Sequence, residues 1–380
     1  MNIGGDKLRL KTGTFAGMAK DIKNRDSKIV IFGTGVIGST VTPEILKEHG
    51  LLDRIGYCID NDRTRWNTTI TMCGKEVKIH NPEMLTKCVG NITVLVTISR
   101  YQSALEQLKQ MTGTEELSCY IIPAMCINDF HNDGGKGVIK SSVTPLIPKK
   151  IHYMWLGGNP LPDKLQKCID TWERFCPDYE IIRWDESNYD VRKNQFVSQA
   201  YENKKYGFVP DYARIELLYD HGGIYLDTDI ELQRNLDELL YQEAFCSVEK
   251  WQVLNFGGCS GAVKGHKSLE PFLDVWSKRS LVRHDGTLDS ISSGLIDTSV
   301  ALNAGYTISG RNQTVMGMNI YTYDYFHPYD YMSGKLEKTS DTFSIHHFNG
   351  GWLDEKAKAG NLQAICMYDE LMGQAESVEE

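Results

Sequence analysis

The chain has 380 residues, of which 41% are hydrophobic and 24% charged, and its formal net charge is −9. That length allows two domains with cores of their own, without disulfide staples. The acidic balance excludes a general nucleic-acid binder, which needs a basic footprint to displace counterions. The ten cysteines include no C-x-x-C pair, so zinc-site spacing is absent and reduced buried thiols are expected.

Residues 1–27 show no apolar signal-peptide core. They carry Lys7, Arg9, Lys11, Lys20, Lys23 and Arg25, interrupted by Asp6, Asp21 and Asp26. This pattern predicts a solvated N-terminal arm. No stretch reaches the roughly 20 apolar residues of a membrane span. The expected location is the cytoplasm, with at most peripheral association at the inner face of a membrane.

Residues 28–130 alternate strand and helix patterns. Strands are predicted at 28–32, 55–59, 92–98 and 119–122, with helices at 41–49 and 102–111. Strands separated by helices imply a parallel sheet with right-handed crossovers. The loop Gly33-Thr-Gly35-Val-Ile-Gly38 follows the first strand, and Asp60 ends the second, 22 residues after Gly38. Such glycines let a pyrophosphate approach a helix N-terminus, and the acid suits ribose hydroxyls. The alternative is that Gly33, Gly35, Gly38 and Asp60 only shape the turn. The P-loop lysine is missing, which excludes that ATPase motif. Ile29–Gly38 and Gly56–Asp62 resemble the small Rossmann-like domains found beside sugar-modifying enzymes of bacterial polysaccharide pathways.

Residues 131–149 are rich in turn formers and are read as a linker. A second alternating region, 150–380, follows. Helices are predicted near 163–175, 194–205 and 209–220, and strands near 179–184, 223–227, 244–249 and 343–347. The tail from Glu376 is expected to fray.

The most informative segment runs from Asp211 to Ile230. An apolar helix ends at Gly222-Gly223, a short buried strand follows at Ile224-Tyr-Leu226, and Asp227-Thr228-Asp229 closes it. Carboxylates separated by one residue share a side of an extended backbone. Two such groups at a strand end suit one Mg²⁺ or Mn²⁺ ion, whose open positions would take a diphosphate and neutralise a leaving group. The competing reading is a pair of exposed turn aspartates.

Residues 147–352 resemble the DXD-containing glycosyltransferases of family 32, and are similar to the clostridial toxin glucosyltransferases. The likeness rests on Ile147–Gly158, Trp184-Asp185, Asp211–Asp229, Gly257-Gly258, Tyr323–Pro328 and Ile345–Trp352. It implies a GT-A fold and a retaining, metal-dependent transfer of a hexose from a nucleotide sugar, UDP-hexose above all. The acceptor would be a glycan or lipid-linked glycan of a surface polysaccharide. By the same resemblance, Trp155 stacks on the nucleobase beside Leu156 and Gly157, and Asp211 and Arg214 bind the donor sugar. Tyr225 lies near the nucleotide, and His346, with His347 as its competitor, completes the metal site. Asn349 and Trp352 form a flap over the diphosphate. Ser293-Gly294-Leu295 departs from the family's Gly-Pro pair, so donor specificity is the least transferable property. Two other readings stay open: a non-catalytic nucleotide-sugar scaffold, and an NAD-dependent enzyme working through the first domain.

Overall fold

The computed structural model describes residues 8–87, 91–98, 101–111, 117–130, 137–284, 286–289, 291–350, 365 and 368–378. The chain divides into two compact units, residues 1–131 with 359–380, and residues 132–358. Each has its own sheet.

Unit one begins where the arm was expected. Strand β1 (Leu8–Gly13) and helix α1 (Phe15–Asn24) belong to its core. Phe15, Met18, Ala19 and Ile22 form the buried stripe of α1, and the Thr14 hydroxyl caps it by accepting from the Gly17 N–H at 3.0 Å. The basic residues misled because Lys11 is buried, not solvated. Its ammonium pairs with Asp21 at 2.8 Å, and the other Asp21 oxygen accepts from the Tyr120 hydroxyl at 2.8 Å. A paired charge can enter a core that a bare one cannot.

Strands β2 (Lys28–Phe32), β3 (Ile55–Ile59), β4 (Thr69–Met72), β5 (Lys75–His80), β6 (Ile92–Val96) and β7 (Leu117–Ile121) follow. Helices α2 (Thr42–Glu48), α3 (Tyr101–Gln110) and α4 (Ile122–Asp129) lie between and after them. All strand pairs are parallel except the β4–β5 hairpin. The central strands β2 and β6 are apolar along their buried length except for Thr93, whose hydroxyl accepts from Arg25 at 3.0 Å, as suits strands covered on both faces.

The described part of the C-terminal tail, residues 368–378, does not fray, and it belongs to unit one and not to the second region. Residues 368–374 are helical. Strand Glu376–Val378 then pairs in parallel with β1, in the register Lys11↔Glu376 to Gly13↔Val378. Three residues of weakly apolar sequence gave no local signal for this pairing, because the partner is more than 350 positions away.

Unit two holds β8 (Lys150–Met154), α5 (Asp163–Phe175), β9 (Glu180–Trp184), α6 (Gln195–Glu202), α7 (Val209–His221) and β10 (Gly223–Tyr225). It continues through β11 (Ile230–Leu232), β12 (Ala244–Val248), β13 (Leu254–Asn255), β14 (Ser260–Ala262), α8 (Glu270–Ser277) and α9 (Ser293–Asn303). The last elements are β15 (Gln313–Val315), β16 (Met318–Tyr321), α10 (Tyr323–Phe326) and β17 (Ser344–His346). The large sheet has the order β15-β16-β12-β14-β10-β8-β9, with β13 on the side of β12, and β11 and β17 form a separate pair. The described part of the expected linker packs along this unit: the Leu146 N–H donates to the Leu240 carbonyl at 2.7 Å.

Two features of this topology place the site. Strands β8 and β10 are parallel neighbours, so Trp155 and Asp227 leave the sheet at the same, carboxyl, edge. Strands β11 and β17 are antiparallel with Ile230 opposite His346, which brings a residue of the distant C-terminal segment beside Asp229.

Candidate cation and sugar site

The site grows from α7. Pro210 opens its first turn, and the helix is buried on most sides, including Asp211, Arg214 and Glu216. Such charges survive burial only when paired. Arg214 donates to Asp211 at 2.5 Å and through Nε to the Pro210 carbonyl at 3.0 Å, and its second nitrogen lies 3.9 Å from Asp227. Burial pushes the Asp211 carboxyl up to about 6, even beside the guanidinium. Burial acts against the charge of Arg214, yet Asp227 and Asp211 outweigh it and raise that group. Glu216 is held by Lys193 at 2.6 Å and by the Tyr189 and Tyr212 hydroxyls.

Helix α7 stops at Gly222, whose φ of 66° is left-handed. Strand β10 then ends at Tyr225, and Asp227 to Asp229 form a turn closed by the Ile230 N–H on the Asp227 carbonyl at 3.1 Å. The two carboxylates therefore meet across a turn and not along an extended strand, which corrects the sequence-based geometry. Asp227, Asp229 and His346 each offer a ligand atom, and these atoms lie within 4.8 Å of one another. His346 Nε2 is 3.4 Å from Asp229. Burial would raise the Asp229 carboxyl, but His346 and the Asn349 N–H outweigh it and bring it down to about 2. Two carboxylates and one imidazole suit a Mg²⁺ or Mn²⁺ ion. Gly257 supports this fit. A Cβ there would stand 2.1 Å from Asp227 Oδ2 and 2.6 Å from Arg214, so the backbone closes against the carboxylate only because the residue is glycine.

The other residues singled out in the sequence fall as follows. His347 points away, with Nε2 on Glu231 at 2.8 Å, so strand alternation separates the two histidines. Tyr225 is buried, and burial first, then the neighbouring Asp227 carboxylate, push its hydroxyl well above the usual phenol range. The Asn349 N–H donates to Asp229 at 2.8 Å, and its side-chain oxygen accepts from Lys164 at 2.8 Å. Trp155 is half-buried at the sheet edge and donates its indole N–H to the Asn159 carbonyl at 2.7 Å. The Gly157 N–H donates to Glu186 at 2.7 Å, and Leu156 is buried. Trp352 lies outside the described residues.

In unit one, a Cβ on Gly38 would meet the Gly33 carbonyl oxygen at 2.0 Å, whereas nothing stands within 4 Å of one on Gly35. The Asp60 carboxylate accepts from the Thr34 N–H at 2.7 Å and the Asp62 N–H at 2.8 Å. These bonds use the acid to close its own loop.

Lys164, a neighbour of the site, carried no sequence signal, whereas Gly257 and the buried His327 lie in motifs that carried the likeness but had no role assigned. Lys164 opens a predicted helix, and only the fold brings it to Asn349.

Residues 162–246 match a family model described as a glycosyltransferase sugar-binding region containing a DXD motif. Inositol phosphoceramide mannosyltransferase 3 of Schizosaccharomyces pombe is 34% identical over 147 residues, 36% of this chain and 37% of that protein. Mannosyl phosphorylinositol ceramide synthase SUR1 of Saccharomyces cerevisiae is 31% identical over 176 residues, 42% of each chain. The chain thus spans less than half the length of these relatives. A solved structure, the PaToxG glycosyltransferase, aligns with 41% of this chain and 70% of its own at 19% identity, with a TM-score of 0.34. The segment holding Asp211, Arg214, Asp227 and Asp229 is thus similar to a glycosyltransferase sugar-binding region, with Asp227-Thr228-Asp229 as its DXD motif.

Proposed function

We propose that this chain is a retaining, divalent-cation-dependent hexosyltransferase that uses a nucleotide sugar, with UDP-hexose as the first candidate. The acceptor is a glycan or lipid-linked glycan of a surface polysaccharide, met at the cytoplasmic face of a membrane. This reading takes residues 150–350 as a GT-A domain and unit one as a Rossmann-like companion. The observation that carries it is the convergence of Asp227, Asp229 and His346 beside the buried Asp211–Arg214 pair.

Asp227, Asp229 and His346 would hold Mn²⁺ or Mg²⁺, which when bound supplies charge neutralisation to a departing diphosphate. Asp211 accepts hydrogen bonds from sugar hydroxyls, and Arg214 holds Asp211 in place and adds positive charge facing the phosphates. Trp155 offers a ring face to the nucleobase, beside the Leu156 and Gly157 backbone. Tyr225 acts through Asp227. Asn349, whose N–H is on Asp229, lies beside the diphosphate and limits water. The acceptor hydroxyl attacks the anomeric carbon on the face from which the diphosphate leaves. The new C–O bond forms as the old one breaks, and the departing phosphate oxygen takes the hydroxyl proton.

A second reading of the substrates draws on the names of the two fungal relatives, which describe mannosyl transfer to inositol phosphoceramide. Mannose as the sugar and a phosphoinositol lipid as the acceptor therefore join the candidates. One screen separates these possibilities: hydrolysis of UDP-glucose, UDP-galactose, their N-acetyl forms and GDP-mannose with Mn²⁺, for wild type and Asp227→Ala. Mn²⁺-dependent hydrolysis of one donor, reduced at least about 100-fold by the substitution, is expected. Hydrolysis and transfer that survive both EDTA and Asp229→Asn would defeat the mechanism. Tight donor binding without turnover on any acceptor would favour the scaffold reading.

A further inference from the structure

Helix α5 lies on β11 in a fixed register. The Trp172 indole N–H donates to the Ile230 carbonyl at 2.7 Å, and the Thr171 hydroxyl accepts from the Leu232 N–H at 2.9 Å. At the C-terminal end of the helix, Asn235 donates to the Phe175 carbonyl at 2.7 Å. The helix therefore runs in step with residues 230–235, and its first turn lies at the end of β11 where Asp229 stands. Lys164 is about two turns before Thr171, on the same face. Its ammonium donates to the Asn349 side-chain oxygen at 2.8 Å, and the Asn349 N–H donates to Asp229 at 2.8 Å. A single residue thus stands between an exposed lysine and a side chain of the cation site.

Charge balance gives this lysine a task. A divalent cation held by Asp227 and Asp229 has its charge answered by the two carboxylates. His346 adds none when it ligates as a neutral imidazole. Arg214 lies 2.5 Å from Asp211, so that pair is also close to neutral. A nucleoside diphosphate brings negative charge that neither set cancels. Lys164 differs from Arg214 in that its partner is a neutral amide, and among the described residues it enters no ion pair. Its exposed, flexible stem lets the ammonium change partners. Exchanging an amide oxygen for a phosphate oxygen strengthens the hydrogen bond, because both partners are then charged.

We infer that Lys164 is a further binding residue for the diphosphate of the donor. It approaches the phosphates from the Asp229 side, as Arg214 does from the Asp227 side, and gives up the Asn349 amide to a phosphate oxygen. This inference rests on the nucleotide-sugar reading of the same site.

The test uses the full chain. Electron paramagnetic resonance follows Mn²⁺ alone, and calorimetry then follows UDP and GDP on the Mn²⁺-saturated protein. Lys164→Gln keeps a donor for Asn349 and removes the charge. It is expected to bind Mn²⁺ as wild type does and to melt at the same temperature in EDTA. The nucleoside diphosphate that wild type takes is expected to bind about 10-fold more weakly, and added salt should weaken it less than in wild type. Lys164→Arg, which keeps the charge, should restore most of the affinity. Equal diphosphate affinity in wild type and Lys164→Gln overturns the inference and leaves the cation site standing. A loss of Mn²⁺ affinity as large as the loss of diphosphate affinity also overturns it, because Lys164 would then only support Asn349 and Asp229. A wild type that binds Mn²⁺ but neither diphosphate would remove the nucleotide-sugar reading, and this inference with it.

Discussion

At Gly257 the molecule has no room for a methyl group. A Cβ would displace the Asp227 carboxylate and press on Arg214. Gly257→Ala is therefore expected to weaken Mn²⁺ binding at least about 10-fold, and to destabilise the fold by about 1–3 kcal/mol through overpacking. Isothermal titration and urea denaturation check the two effects separately. His152 supplies a pH test away from the cation site. It is buried, accepts from the Trp184 indole N–H at 3.1 Å and donates to the Gly222 carbonyl at 2.8 Å. Burial pushes it down to about 4. The unfolded chain takes up this proton near pH 6.5 and the folded chain only near 4, so the stability present above 6.5 is lost as pH falls between them. From pH 7.5 to pH 5 that loss is about 2 kcal/mol. His152→Gln can serve both partners without titrating. Its urea curves are expected to lose about 2 kcal/mol less than those of wild type over the same interval. Among single residues, Asp211, Arg214, Asp227 and Asp229 were legible because the helix-glycine-strand pattern around them is local. Lys164 was not, since nothing in its neighbouring sequence distinguishes it from a solvated helix residue and only the fold carries it to Asn349.

Among the elements, the pair β11–β17 decides the histidine. Its register sets Ile230 opposite His346, and alternation then sends His347 to Glu231. The sequence showed that only one histidine of the two would face the site, but not which, because register depends on a partner strand over 100 residues away. Helices α2, α3, α5, α6 and α7 were read closely, whereas α1, α4, α8 and α9 were not foreseen. Helix α5 matches 163–175, while β10 is three residues long where five were expected. Strands of two or three residues, such as β13 and β14, were not foreseen, because a pattern that short carries no periodicity. The terminal strand yields an element-scale prediction. Removing residues 375–380 takes away the parallel neighbour of β1 and leaves an unpaired edge. Loss of about 1–3 kcal/mol from unit one is expected, with the unit-two transition unmoved, as calorimetry would read. A shift confined to unit two would contradict the assigned pairing.

For the whole molecule, two units with separate sheets imply unfolding that is not a single two-state event. Mn²⁺ with UDP at about 100 times their dissociation constants is expected to stabilise unit two by about 2.7 kcal/mol, roughly 5–11 °C. EDTA should return that transition to its starting point. Movement of the other transition alone would put the cation elsewhere. The sequence by itself determined the alternation of strands and helices, the boundary near residue 131, and the acidic motif at the end of a buried strand. Each depends on patterns within about 20 residues, where periodicity, turn formers and local burial act together. Tertiary structure alone decided that residues 8–13 and 376–378 join one sheet, that Lys11 enters a core beside Asp21, and that His346 meets Asp229. Those outcomes depend on pairings between distant segments. A charge is buried, or a ligand completed, only when its partner arrives through space.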